Sequence, residues 1–163
     1  MNTYIIGLLI AILVIIYFLK KNEQEYFSNL LIKNEIFTKV LNEKYIINAG
    51  VNNVSQLNLI NTEFIVPATI YTMNDKDGNY HYIYNNGKIM TFVDGKLFFN
   101  QTSASTIMYK NYNNNYKIYK TINNKLYYLI NNTKMYITSE KDSYSINLIL
   151  TTDEDKALSW EII

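Results

Sequence analysis

The stretch KIMTFVDGKLFFNQ, residues 88–101, decides the fold class. Two apolar-aromatic runs flank Asp94-Gly95. That dipeptide supplies the φ > 0 that a tight hairpin turn needs at its centre. Just upstream, Asn86-Gly87 repeats the signal after HYIY (81–84). Downstream, Asn123-Asn124 and Asn131-Asn132 separate YKIYKTI, KLYYLI and KMYITS. Asn tolerates the left-handed conformation better than most residues, so both pairs read as turns. From Lys44 onward the pattern is short strands punctuated by turns. The single proline, Pro67 in FIVPATIYT, marks an edge position or a bend. No low-complexity linker divides residues 35–163, which read as one β domain.

Composition agrees with an all-β core. Sixteen Tyr and seven Phe supply large side chains that favour strands. A domain of about 130 residues hides roughly two-thirds of its unfolded surface, enough for a real core. The net charge is +1, and the chain contains no Arg. A nucleic-acid binder usually shows a basic excess and uses Arg for phosphates and base edges, so no nucleic-acid partner is expected. With no Cys, disulfides, thiolate metal sites and Cys nucleophiles are excluded. Twenty-four Asn, with abundant Lys, Ile and Tyr, give the chain the look of an AT-rich coding sequence. That bias weakens Asn-based motifs, and the sequons at Asn53-Val54-Ser55, Asn100-Gln101-Thr102 and Asn131-Asn132-Thr133 read as chance matches.

Working back to the N-terminus, the pattern changes. Tyr4 to Leu19 reads YIIGLLIAILVIIYFL, without a charge. The 19 residues before Lys20 would span about 28 Å as a helix, close to the hydrocarbon thickness of a bilayer. Tyr4 and Tyr17 sit where aromatic rings prefer the interface, and Lys20-Lys21 ends the run. A cleaved signal peptide is the rival reading, but KKNEQEYF offers no small residues for cleavage. Residues 1–21 are therefore expected to be a single-pass transmembrane anchor in contact with the lipid bilayer. Lys20, Lys21, Lys33 and Lys39 follow it and no basic side chain precedes it, which places the C-terminal domain on the cytoplasmic side. Residues 22–34 read as a stem or linker. Phe27, Leu30, Leu31, Phe37 and Leu41 partly fit a helical face that Asn34 interrupts. The same region accommodates a first strand around Ile36 to Val40.

A faint repeat runs through the β domain. KYIINAG, SQLNLIN and EFIVPATIYT make one set; KIMTFVDG, KLFFNQ and STIMYK a second; KLYYLI, INLILTT and ALSWEII a third. Runs such as YHYIY and YKIYK precede the second and third, and KMYITSEKDSYS is left over in the third as a longer loop or hairpin. Periods of about 40 residues call for a repeat architecture. Three such units, with an aromatic then an aliphatic near the end as in Trp160-Glu161-Ile162, resemble a β-trefoil of the fascin-like or ricin-B-like kind over about residues 35–163. The resemblance implies a β-trefoil-like closed barrel of three pseudo-repeats. Another β-barrel or a sandwich is the alternative.

Chemistry is sparse. His81, the only histidine, lies in a strand-like run among tyrosines; a Ser-His-Asp arrangement would need it with Asp75 or Asp77, and no nucleophile-elbow motif is present. Asn74-Asp75-Lys76-Asp77-Gly78-Asn79 lacks the spacing and closing Glu of a calcium loop and reads as a solvated turn. Asp153-Glu154-Asp155 reads as a loop kept in water. No catalytic, cofactor-binding or metal-binding residue is nominated, and the chain is read as a non-enzyme. Ricin-type trefoils bind sugars through Gln-x-Trp, but Leu158-Ser159 precede Trp160, so no sugar-binding residue carries over and Trp160 is expected in the core. The layout of anchor, Lys-Lys and Asn/Lys/Tyr-rich β domain resembles small virion membrane proteins of large DNA viruses. The expectation is a membrane-anchored structural or protein-interaction module, with an anchored carbohydrate-binding module as the alternative.

Overall fold

A computed structural model describes residues 7–8, 10–17, 32–60, 66–75, 78–100 and 114–163. The chain divides into two compact units, Met1–Ile32 and Lys33–Ile163. The first contains a short helix whose described residues are 7–8 and 10–17. Among the described residues no helix is long and apolar enough to cross a membrane; the rest of the expected spanning helix over 1–21 lies outside the described residues. The flanking Lys20 and Lys21, and most of the expected stem over 22–34, lie outside the described residues.

The second unit is all-β and antiparallel. Its strands are β1 (Ile32–Val40), β2 (Glu43–Ala49), β3 (Ser55–Leu59), β4 (Thr69–Asp75), β5 (Gly78–Asn85) and β6 (Lys88–Val93). They continue with β7 (Lys96–Asn100), β8 (Ile118–Lys120), β9 (Leu126–Ile130), β10 (Thr133–Lys141), β11 (Ile146–Thr151) and β12 (Trp160–Ile162). β1 starts at Ile32, so the ambiguous region resolves to strand from there, and the β fold begins before the expected boundary at 35. The strands run in the order β10-β9-β8-β5-β4-β1-β2-β3-β11, and β11 returns to β10, closing a ring through nine strands. β6, β7 and β12 lie off this ring, so it is not a regular barrel.

The pairings recur along the chain. The hairpins β1–β2, β5–β6 and β9–β10 all turn through two left-handed residues: Leu41-Asn42, Asn86-Gly87 and Asn131-Asn132. Leu41, Asn86 and Asn131 are spaced 45 residues apart. A second set of hairpins, β2–β3, β6–β7 and β10–β11, follows. Between them, β4 pairs with β5, β8 with β9, and β12 with β1. The Asp94-Gly95 turn sits in the β6–β7 hairpin as its sequence requires, with φ 50° and 77°. One expectation is corrected here. KMYITS is not an added element: it lies within β10, which pairs with both β9 and β11, while KLYYLI contains β9, the first strand of its set rather than the second.

The equal spacing aligns the core. Thr38, Ile83 and Tyr128 occupy matching places and are all buried, as do Ile36, His81 and Leu126. Burying an aliphatic or aromatic side chain at such positions stabilises by about 1.5–3 kcal/mol each. Tyr128 is edge-on to Phe92 at 5.0 Å and donates its hydroxyl to the Met90 carbonyl at 3.4 Å. Trp160 is 1% exposed and backs onto this core. Its backbone N–H donates to the Asn124 carbonyl at 2.9 Å, while Thr38 Oγ1 donates to the Ser159 carbonyl at 2.8 Å.

Leu41 breaks the pattern of its turn. Among the described residues the other non-glycine positions with positive φ are Asn or Asp, yet Leu41 holds φ 50° and is 91% exposed. A branched side chain in the left-handed region costs about 1–2 kcal/mol, which Asn tolerates better. Leu41→Asn, copying the residue of the other two turns, is expected to raise stability by about 1 kcal/mol. A denaturant midpoint at or below that of the parent chain would contradict the strain.

Candidate functional site

His81 lies on β5, opposite Thr72 on β4 and Ile118 on β8. It is 5% exposed, and its Nδ1 is 3.0 Å from Thr72 Oγ1. Burial first, and the nearby Lys120 charge second, pull its pKa down to about 4. A buried neutral imidazole with a threonine partner is what the expected strand histidine among aromatics becomes. Asp75 lies on β4, where its register partner is Gly78, and Asp77 lies outside the described residues.

The acidic run Asp153-Glu154-Asp155 belongs to a short 3-10 turn and is tied into the fold rather than simply solvated. The Asp153 carboxylate accepts from the Asp155 N–H at 3.0 Å and pairs with Lys156 at 3.4 Å. Glu154 accepts from the Tyr136 hydroxyl at 2.7 Å, which with burial raises the Tyr136 phenol to about 12. Among the described residues no group of three or more His, Cys, Asp or Glu is placed to hold a metal ion. Of the sequons, Ser55 is fully buried at the start of β3, whereas Asn131 is exposed at a turn. Trp160 is in the core, so it offers no face to a sugar.

What the sequence did not nominate is a set of presented side chains. The three hairpins β2–β3, β6–β7 and β10–β11 join one another: Asn147 pairs with Gln56, Ile149 with Lys96, and Val54 with Phe98. Each carries an exposed apolar residue at or beside its tip, Val51, Val93 and Tyr144. Tyr144 is 100% exposed on a turn locked by one carboxylate. Asp142 accepts from the N–H groups of Tyr144 and Ser145 at 2.7 and 2.8 Å. It also accepts from the Ser145 hydroxyl and the Asn147 amide, both at 2.9 Å. These donors, the Tyr144 N–H foremost, hold the Asp142 carboxyl at about 2. The turn therefore keeps its anion, and its geometry, through ordinary acidic pH. A rigid turn that projects a tyrosine suits recognition, because little is lost in ordering it on binding.

A second aromatic feature crosses β8, β9 and β10. Tyr119 stacks on Tyr127 at 5.6 Å, Tyr127 meets Tyr136 at 5.6 Å, and the Lys134 ammonium lies 5.2 Å from the Tyr127 ring. Cross-strand aromatic pairs of this kind stabilise sheets by up to about 1 kcal/mol each, and that is the role their packing supports. The signal that would have found them is register: Tyr119 faces Tyr127, and Tyr127 faces Tyr136. A register of that kind is set by long-range pairing and is not written in either strand alone.

No protein-family model matches the chain, and no curated protein matches it.

Proposed function

We propose that this chain is a membrane-anchored structural or protein-interaction module, with its N-terminal segment as a single-pass anchor and its β domain as the part that meets a protein partner. The observation that carries the reading is the exposure of the N-terminal helix. Leu8, Ile10, Ile12, Leu13, Val14, Ile15, Ile16 and Tyr17 are each between 45% and 65% exposed. Consecutive residues point to every side of a helix, so this is not one apolar stripe awaiting a single protein groove. A helix apolar all round is solvated by lipid, and the uncharged run continues in sequence from Tyr4 to Leu19.

For the domain, a β-trefoil-like fold is the reading that the recurring pairings and the 45-residue spacing of the turns support. The lysines that follow the apolar run favour a cytoplasmic domain. The partner-facing surface is assigned to the hairpin tips bearing Val51, Val93 and Tyr144, with a binding role rather than catalysis. A virion membrane is the setting that the layout resembles.

The test uses the full chain in its native membrane. It is expected to stay in the membrane pellet through high salt and alkaline carbonate, and to cross-link to a protein through a photoreactive residue at position 144. Release by carbonate would overturn the anchor. Retention with no adduct at 144 would overturn the assigned surface and leave the anchor standing.

A further inference from the structure

We propose that the β8–β9 turn and the outer face behind it form a contact for an anionic bilayer surface, with the Ile122 side chain entering the acyl boundary and Lys120, Lys125 and Lys134 meeting headgroup phosphates. The inference takes from the proposed anchor only that a bilayer is within reach of the domain. It starts from a charge asymmetry that the net charge of +1 hides. Residues 96–139 hold six of the fifteen lysines and none of the fourteen Asp and Glu. β8, β9 and most of β10 fall in that span and lie side by side in the sheet.

The turn Lys120-Thr121-Ile122-Asn123-Asn124-Lys125 sets an aliphatic tip between two lysines. Ile122 is 100% exposed, on a loop that is hydrogen-bonded shut. The Thr121 N–H donates to the Lys125 carbonyl at 2.9 Å, and the Asn124 N–H to the Thr121 carbonyl at 3.1 Å. The Lys125 N–H donates to Thr121 Oγ1, also at 3.1 Å. An isoleucine held in water on an ordered loop gains by entering lipid and loses little loop freedom in doing so. The long lysine stems let the ammonium groups stay at headgroup level while the tip goes deeper.

The face behind the turn has the same character. Ile118, Leu126 and Tyr128 are fully buried, so strand alternation puts Tyr119, Tyr127 and Leu129 on the outer side. Lys134 stands opposite Leu129, with its ammonium 5.2 Å from the Tyr127 ring. Tyrosine and lysine are side chains that settle at a membrane interface, and lysines there are drawn to anionic lipid. The acidic turn at 153–155 borders this face, and two of its carboxylates are engaged: Glu154 takes the Tyr136 hydroxyl and Asp153 pairs with Lys156. Lys125 Nζ reaches the Glu154 carbonyl at 2.5 Å. A soluble polyanion would use the lysines but has no place for Ile122. A bilayer uses both, and that decides between them.

The chain has no Cys, so a polarity-sensitive fluorophore can be placed on Ile122→Cys or Leu41→Cys alone. Leu41 is 91% exposed and follows the far end of β1 from Ile32, which lies two repeat spacings before Ile122. The full chain is reconstituted into vesicles of phosphatidylcholine, with or without phosphatidylserine. With phosphatidylserine, the label at 122 is expected to shift to the blue and to be quenched by brominated acyl chains, while the label at 41 stays in water. A lysine near an anionic surface is worth about fivefold in binding. Lys120→Gln with Lys134→Gln should therefore lower the ratio of lipid-facing to water-facing label at 122 by roughly 25-fold, and high salt should lower it too. A label at 122 that stays in water on anionic vesicles retaining the chain, equal quenching at 122 and 41, or a ratio unchanged by the two substitutions would each overturn the contact and leave the anchor standing. Loss of the chain from neutral vesicles, with retention and quenching at 122 on anionic ones, would overturn the anchor and support the contact. Failure to associate with either vesicle would overturn both. Shielding of the label by polyphosphate but not by anionic vesicles would overturn the contact in favour of a soluble polyanion.

Discussion

Replacing Trp160 by Ala is expected to cost about 3–5 kcal/mol, the usual range for emptying a large aromatic from a core. For a domain of this size that is a third or more of the whole stability, and a fall in Tm of roughly 10–20 °C. The indole is 1% exposed, and its strand is what returns the chain to β1 through the register Thr38↔Trp160 and Ile36↔Ile162. A second feature refines the expectation. Trp160 Nε1 is buried and has no hydrogen-bond partner, and an unsatisfied buried donor costs about 1–3 kcal/mol. Trp160→Phe removes that donor while keeping most of the ring volume, so it should be much the milder change. Calorimetry of the two variants separates volume from polarity. Equal destabilisation by Phe and Ala would show that packing of the indole edge, rather than bulk, holds β12 in place, and no loss in either would put Trp160 outside the cooperative core.

The other large effect lies at the N-terminus and rests on the proposed anchor. A Lys at the centre of a membrane helix is disfavoured by about 2.5–3.5 kcal/mol, and the apolar side chain it replaces is lost as well. Ile12→Lys combined with Leu13→Lys should therefore weaken insertion by about 6 kcal/mol, some four powers of ten in the partition between membrane and water. The measurement is the share of the chain left in vesicles after alkaline extraction, with the folded state of the β domain followed separately by its near-ultraviolet dichroism. The double variant should move to the soluble fraction with the domain signal unchanged. Persistence in the vesicles would mean that something other than this helix holds the chain there.

How much of this was legible beforehand differs from element to element. Asp94-Gly95 and Asn86-Gly87 announced their hairpins because the left-handed conformation of a two-residue turn is a local demand, met or not met by the residues at that spot. The burial of Trp160 was readable for a similar reason, since one large aromatic in a chain with a real core is most cheaply placed inside it. The third set of strands was misaligned by one, with KLYYLI taken for a second strand. Nothing local distinguishes a first strand from a second when both alternate with period two; the difference is made by partners such as Trp160 on β12, 122 positions from Thr38. Leu41 falls in a region that reads as either helix or strand, and its turn carries Leu where the sister turns carry Asn, so the turn signal is weakest there. The presented Tyr144 was hidden by a different effect. Asp142, Ser145 and Asn147 read as loop polarity in one dimension, and only the folded hairpin makes Ser145 and Asn147, with the Tyr144 N–H, a set of donors converging on the Asp142 carboxylate.

Closure of β1 by β12 also orders events during synthesis. β1 leaves the ribosome with its partner still untranslated, and the ladder at Phe37 and Thr38 waits for Glu161 and Trp160. The other side of β1 pairs with β2 at the same residues, Phe37↔Ile46 and Thr38↔Tyr45, and the remaining ladders join strands already made, so the nascent chain passes through an interval in which one edge of β1 alone lacks its last strand. Chaperone demand should be greatest in that interval, and prematurely terminated products lacking the last strand should be cleared by proteolysis rather than accumulate.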